Sequence, residues 1–184
     1  MEDMLIWVDA QDREIGAGPK LATHEKAQLH RAFSLFLYDP QAHAILLQRR
    51  AQGKYHSGGL WSNTCCSHPR VGERTEDAVR TRLRFELGLP EDADKAPLTH
   101  CGSFIYRADF PTGLSEHELD HVYVLAVDKV RVPLDRFNRE EIEALRWVTL
   151  EELEAWMDAR PEEFSAWFGP AYRMAKQLIE PQSP

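Results

Sequence analysis

Between Trp61 and Glu86 the chain places a thiol, an imidazole and two carboxylates within one short segment. It reads Trp61-Ser62-Asn63-Thr64-Cys65-Cys66-Ser67-His68-Pro69, then Gly72-Glu73, then a helical stretch closing at Glu86-Leu87-Gly88. If Cys66-Ser67-His68 is extended, residues two apart share a side, so Cys66 and His68 look into one site. Each has an ordinary reading when taken alone. A lone thiol is a small core residue, and a lone His is a polar surface or hydrogen-bonding group. Glu86 follows Val79 by two helical turns and lies nearly in line with it, on the stripe that Val79 and Leu83 mark as buried. A carboxylate there is costly unless paired or metal-bound. A pair with Arg82, one turn earlier, is the plain alternative. Glu73 reads as the more exposed of the two, near the start of the helix.

Glu116-His117-Glu118 supplies a second pair of carboxylates at the entrance of a strand. With period two, Glu116 and Glu118 share a face, and Asp120 continues it towards the core positions Val122 and Val124. Two like charges side by side call for a cation between them. A solvated strand edge is the plainer reading of two carboxylates alone. His24 and His30 are not one helical turn apart and mean little by themselves. Together with His68, Glu116 and Glu118 they complete a possible site of three imidazoles and two carboxylates. A mixed nitrogen and oxygen set of this kind suits Mn, Zn or Fe, and Mg less well. Lys20, Arg49, Arg50, Lys54 and Arg82 form a basic set able to hold a phosphate; part of it is solubilising surface charge.

The elements that must position these residues are legible in outline. Leu5-Ile6-Trp7-Val8 is an opening strand, followed by a polar turn from Asp9 to Arg13. Arg31 to Tyr38 and Ala44 to Gln48 form a hairpin across the turn Asp39-Pro40-Gln41-Ala42-His43. Lys54 to Gly59 is a polar, Gly-rich loop. Thr75 to Leu87 is a helix, with Thr75 as its cap, Glu76 and Asp77 at its positive end, and Gly88 and Pro90 stopping it. Thr99 to Ala108, Glu118 to Val127 and Leu145 to Val148 read as strands. Thr149-Leu150-Glu151-Glu152 has the capping-box form and opens a helix through Met157. Pro170 to Ile179 is a terminal helix, and residues 180–184 are expected to fray. Strands and helices outside strict βαβ alternation predict an α+β fold, a mixed-sheet sandwich.

Composition sets the class. The chain has 184 residues, 43% of them hydrophobic, which fits a single domain spanning 1–184 with a proper core. Its formal net charge of -8 argues against nucleic-acid binding, which favours a basic face. Three cysteines form no disulfide framework and fit a reducing compartment. No apolar run has transmembrane length, and Met1-Glu2-Asp3 lacks the basic start of a signal peptide. A cytoplasmic protein with no membrane partner is expected. No long apolar stripe demands a dimer, so a monomer is expected.

Taken together, these residues resemble the type 1 isopentenyl diphosphate isomerase family, a branch of the Nudix superfamily. The match runs from His24 to about Trp167. Its strongest pieces are His30-Arg31-Ala32-Phe33-Ser34, Gln48-Arg49-Arg50-Ala51, the Trp61–Pro69 run, Gly72-Glu73, Glu86-Leu87-Gly88, Tyr106-Arg107-Ala108, Glu116-His117-Glu118 and Phe164-Ser165-Ala166-Trp167. The helix departs from the superfamily's hydrolases. Thr81-Arg82 and Phe85-Glu86 stand where those enzymes carry Arg-Glu and Glu-Glu pairs, so this helix is poorly equipped to activate water against a diphosphate. Tyr55-His56-Ser57-Gly58-Gly59 replaces the family's aromatic-Pro-Gly turn.

The resemblance implies a Nudix-like mixed β-sheet sandwich with flanking helices. It also implies an isomerase interconverting isopentenyl diphosphate and dimethylallyl diphosphate for isoprenoid biosynthesis. Cys66 and Glu118 match the catalytic pair, and Tyr106 matches the residue that hydrogen-bonds near the glutamate. His24, His30, His68, Glu116 and Glu118 match a tight divalent-metal site for Mn2+ or Zn2+. Glu86 matches the ligand of Mg2+ bound with the diphosphate. Lys20, Arg50, Lys54 and Arg82 match diphosphate contacts, and Trp167 matches an aromatic lid. Glu118 is then expected to deliver a proton, and Cys66, as thiolate, to remove another from the opposite face. A Nudix hydrolase and a non-enzymatic metal-binding module are the rival readings.

Overall fold

The computed structural model describes residues 3–90 and 95–180; the tail expected to fray at 181–184 lies outside them. The sheet is organised around β3 (His30–Asp39), in which every residue but Arg31 is buried. A strand buried on both faces reads as an unbroken apolar run, and Leu35 to Tyr38 is such a run. β4 (Ala44–Arg50) returns antiparallel to it, as the hairpin predicts. The Asp39 carboxylate closes the turn by accepting the backbone N–H groups of Gln41 and Ala42 at 2.8 and 3.0 Å.

Successive β3 side chains point to opposite faces. Phe33, Leu35 and Leu37 pack with Val79, Leu83 and Leu87 of α2 (Thr75–Leu87). Phe36 and Tyr38 pack with Leu153 of α3 (Leu150–Ala159) and with Phe168 and Tyr172 of α4 (Phe168–Ile179). Helices on both faces of a mixed sheet are the α+β sandwich the sequence predicts.

Three strand registers build the site. β8 (Ser115–Ala126) runs parallel to β3 and sets Glu118 beside His30. β7 (Leu98–Asp109) runs antiparallel to β8 on its far edge and sets Tyr106 beside Glu118. β6 (Cys65–Ser67) pairs antiparallel with β3 and sets Cys66 beside Ser34. β5 (Trp61–Ser62) and β9 (Ile142–Thr149) both pair with β4. Among the described residues, no helix is long and apolar enough to cross a membrane.

Local signals hold with one exception. Thr149 and Glu152 form the reciprocal capping box at the start of α3. Gly88 ends α2 in the left-handed conformation, at φ +66°. Thr75, however, is not the cap of α2. It is the first helical residue, and Arg74 precedes it in extended conformation with no side-chain cap bond. Glu76 and Asp77 supply the favourable negative charge of that first turn instead.

β1 (Met4–Val8) pairs with β2 (Glu14–Pro19), which the sequence does not announce. Its glycines are set by packing. A Cβ on Gly18 would fall 2.1 Å from the Trp7 ring. α1 (Lys20–Glu25) follows and is too short to show helical periodicity.

Candidate active site

The carboxylates at the start of β8 are buried: Glu116 is 2% and Glu118 is 7% exposed. They do not form a solvated edge, because β3 and β7 cover both sides of their strand. The Nε2 of His24 lies 3.2 Å from Glu116 Oε2, and that of His30 lies 3.5 Å from Glu118 Oε1. His68 Nε2 donates to Glu118 Oε1 at 2.7 Å. One ligand atom from each of these five residues falls within 4.8 Å of every other.

The imidazoles are held from behind. His24 Nδ1 donates to the Lys20 carbonyl at 2.6 Å, and His30 Nδ1 donates to the Gln28 carbonyl at 2.8 Å. Those bonds place the Nδ1 protons on the carbonyl side and turn both Nε2 atoms inward. His30 Nε2 and Glu116 Oε2 are buried, have no hydrogen-bond partner among the described residues, and face each other at 3.9 Å. The Glu116 contact with His24 is close but not aligned for a hydrogen bond. Two buried carboxylates, three inward imidazoles and two unsatisfied atoms fit a divalent cation at the centre.

Contacts within the cluster shift its proton affinities. Burial acts to lower the His24 pKa, but the contacts with Glu116 outweigh it and raise the imidazole above its ordinary value. Burial lowers His68 to about 4. Burial also acts to raise Glu118, yet the His30 and His68 imidazoles outweigh it and hold the carboxyl well below the usual range. Asp120 continues the same face, as the period predicts. Burial and the neighbouring Glu118 raise it far above a normal carboxyl, and it accepts the Ser34 hydroxyl at 2.7 Å.

His68, Glu116 and Glu118 open onto a cavity of about 360 Å³. Cys66 and Tyr106 line it, and Tyr106 Oη donates to Glu118 Oε2 at 2.5 Å. The two oxygens of Glu118 are thereby divided: Oε1 faces the imidazoles and Oε2 takes the phenol. Burial raises the Cys66 thiol to about 12, although the Arg50 guanidinium, 3.4 Å from the sulfur, opposes it. The same guanidinium lies 5.2 Å from the Trp167 ring centre. Trp167 is buried, and its indole N–H donates to Asn63 Oδ1 at 3.1 Å.

The cavity wall also carries a cationic set, Lys20, Arg50, Lys54 and Arg82. Burial lowers the Lys20 pKa, and Lys54 lowers it further. Glu141, unnoticed in the sequence, pairs with Lys54 and lies 3.4 Å from Arg82. Arg49 turns away, donating to the Gly59 carbonyl and contacting Glu143.

Glu86 sits behind this wall, buried and paired with Arg82 at 2.8 Å, with Gln48 donating to its second oxygen at 3.3 Å. The plain reading of Glu86 thus describes its contacts. Glu73 lines the cavity and accepts the Arg70 N–H at 3.0 Å. The sequence reading also passed over Asn63, which orients the indole, and His56, which reaches Glu116 from the Lys54–Gly59 loop. Only a polar residue inside an aromatic or Gly-rich motif could have signalled either.

Residues 28–168 match the NUDIX domain. A protein of Aromatoleum aromaticum named isopentenyl-diphosphate Delta-isomerase 2 is 47% identical over 91% of this chain and 83% of its own length. One of Burkholderia multivorans, named isopentenyl-diphosphate Delta-isomerase, is 45% identical over 91% and 90%. The chain belongs to the isopentenyl-diphosphate Delta-isomerases.

Within that isomerase family the fold is the Nudix fold. A Deinococcus radiodurans protein, DR0079, superposes with a TM-score of 0.69 at 24% identity, over 95% of this chain and 98% of its own. A MutT protein of Methanosarcina mazei superposes at 0.58 with 16% identity, over 82% and 95%. In this isomerase-family chain the basic side chains, Cys66, Tyr106 and the carboxylates Glu116 and Glu118 line one cavity.

Proposed function

We propose that this protein interconverts isopentenyl diphosphate and dimethylallyl diphosphate, with Cys66 and Glu118 as the proton-transferring pair. The observation that carries this reading is that the Cys66 thiol, the Glu118 carboxylate, the aromatic rings of Tyr106 and Trp167, and the cations Lys20, Arg50, Lys54 and Arg82 line one cavity. Lys20, Arg50, Lys54 and Arg82 would take the diphosphate, displacing the Glu141 carboxylate as counter-charge. The five-carbon end would then lie between Cys66 and Glu118, beneath Trp167.

His24, His30, His68, Glu116 and Glu118 would hold a divalent ion, Mn2+ or Zn2+, whose charge balances the buried carboxylates and eases release of a proton from Glu118. Mg2+ would accompany the diphosphate, with Glu86 as its protein ligand once Arg82 turns to the substrate.

The reaction needs one group with a proton and one without. Burial favours the protonated thiol at Cys66, and the His30 and His68 imidazoles favour the Glu118 carboxylate. That arrangement is ready for the return direction, in which the thiol gives a proton and the carboxylate takes one. The forward direction, with Glu118 as acid and Cys66 as thiolate, uses the other tautomer of the same singly protonated pair. Each direction moves one proton on and one off the same two groups, so both directions share one proton count. Tyr106 holds Glu118 Oε2 towards the cavity in either case.

The intermediate carries positive charge at a tertiary carbon. The Trp167 ring already accepts the Arg50 cation at 5.2 Å. Such a contact stabilises a desolvated cation by about 2 kcal/mol. The surrounding aromatic walls exclude the water that would trap the cation.

Incubation with isopentenyl diphosphate and Mg2+ should yield dimethylallyl diphosphate with no free phosphate. Phosphate release from a nucleoside diphosphate derivative, with no isomer formed, would establish the hydrolase instead. Glu86→Gln is expected to raise the Mg2+ concentration needed for half-maximal rate by about 10-fold or more. An unchanged Mg2+ requirement in a titration of the rate would remove Glu86 from the Mg2+ site.

A further inference from the structure

His56 is a fourth imidazole at the edge of the metal-type cluster, outside the five residues whose ligand atoms converge. It is 7% exposed, and its Nε2 makes a short contact with Glu116 Oε1. Its Nδ1 lies 3.1 Å from the Ser57 hydroxyl. A carboxylate oxygen can only accept, so Nε2 carries the proton and Nδ1 accepts from Ser57. The ring stacks on Phe110 with centroids 4.6 Å apart and 14° between planes, and meets the Trp167 ring edge-on at 6.0 Å.

The loop is shaped to deliver this imidazole. Ser57 adopts φ +53°, a conformation non-glycine residues seldom take, and Gly59 adopts φ +76°. Backbone bonds from Gly59 N to Arg50 O and from Arg50 N to Leu60 O, each 2.9 Å, tie the loop to the end of β4. An unusual backbone held by flanking bonds around a buried donor is a supported feature.

We propose that His56 is a positioning residue for the divalent-ion cluster. It engages Glu116 Oε1, so that Oε2, a buried atom with no hydrogen-bond partner among the described residues, turns towards His24 and His30. Its ring, clamped by Phe110, ties that orientation to the Trp167 lid. The inference rests on the reading of His24, His30, His68, Glu116 and Glu118 as an ion site.

Two variants isolate the donor from the ring. His56→Phe keeps a flat ring on Phe110 and loses the N–H. His56→Gln keeps an N–H donor and loses the ring. Mn2+ affinity is measured by calorimetry on chelator-treated full-length protein, with the melting midpoint of each metal-free variant recorded alongside. His56→Phe is expected to weaken Mn2+ binding by about 10- to 100-fold, with a metal-free midpoint close to that of the parent. His56→Gln should recover most of the affinity.

Parent-like Mn2+ affinity in His56→Phe overturns the proposal, as does a His56→Gln variant that binds no better than His56→Phe. If His56→Phe fails to fold, recovery in His56→Gln still decides the matter, because a purely ring-packing role predicts loss there. His30→Ala separates the underlying reading. A parent protein that binds no Mn2+, or a His30→Ala protein that binds it as tightly as the parent, overturns the ion site itself.

Discussion

Cys66→Ala protein is expected to lose isomerisation by at least about 1,000-fold, the scale of a positioned acid–base group, while keeping its fold and its Mn2+ affinity. The side chain is small and lines the cavity, so its removal opens little core. Its sulfur is far from interchangeable with solvent. Burial raises the thiol to about 12, and Arg50, 3.4 Å away, is the cation that favours the thiolate when the proton leaves. The same environment has a direct chemical signature. Alkylation of Cys66 by iodoacetamide, followed on its own peptide by mass spectrometry, should accelerate about tenfold per pH unit through pH 10, because only the thiolate reacts. A plateau near pH 7 would show a resting thiolate and reverse the proton inventory. Retained turnover in Cys66→Ala would remove the residue from the reaction.

Glu118→Gln should be as damaging to the rate, again by about 1,000-fold or more, and for two reasons that can be separated. The amide can neither give nor take the proton. It also removes a charge from a cluster in which His68 donates to Glu118 Oε1 at 2.7 Å and His30 stands 3.5 Å away. Mn2+ binding should therefore fall together with the rate, whereas in Cys66→Ala only the rate falls. Calorimetry on both variants distinguishes them. A Glu118→Gln protein with parent-like turnover would contradict the assignment of the proton donor. One that binds Mn2+ as tightly as the parent would remove Glu118 from the ion site.

The elements that carry these residues were legible wherever sequence pattern and tertiary demand coincide. Phe33 to Tyr38 reads as a strand because both its faces are covered, one by Val79 and Leu83, the other by Phe168 and Tyr172. The α3 capping box and the Gly88 stop are local devices, complete within a few residues. β2 escaped because its glycines answer to the Trp7 ring across the hairpin, a demand invisible along one strand. α1 escaped because six residues cannot show a helical period.

The site divides in the same way. Period two correctly aligns Glu116, Glu118 and Asp120, but one strand cannot reveal that neighbours on both edges bury them. Glu86 is buried, as its place on the Val79 stripe implies, and Arg82 and Gln48 account for both its oxygens. Spacing alone left open whether that carboxylate was paired or metal-bound. Glu141 and His56 acquire their places only from contacts made across long stretches of chain, with Lys54 in one case and Glu116 in the other. Residue types group His24, His30, His68, Glu116 and Glu118 as one possible site, and the resemblance to the isomerase family adds the roles that spacing cannot assign to them.

Isomerisation in heavy water tests the proton-transfer chemistry most directly. Metal-loaded protein incubated with isopentenyl diphosphate and Mg2+ should form dimethylallyl diphosphate carrying solvent deuterium on the newly made methyl carbon, and Cys66→Ala and Glu118→Gln should form essentially none. Dimethylallyl diphosphate formed without deuterium at that carbon, or no isomer at all from metal-loaded parent protein, would contradict it.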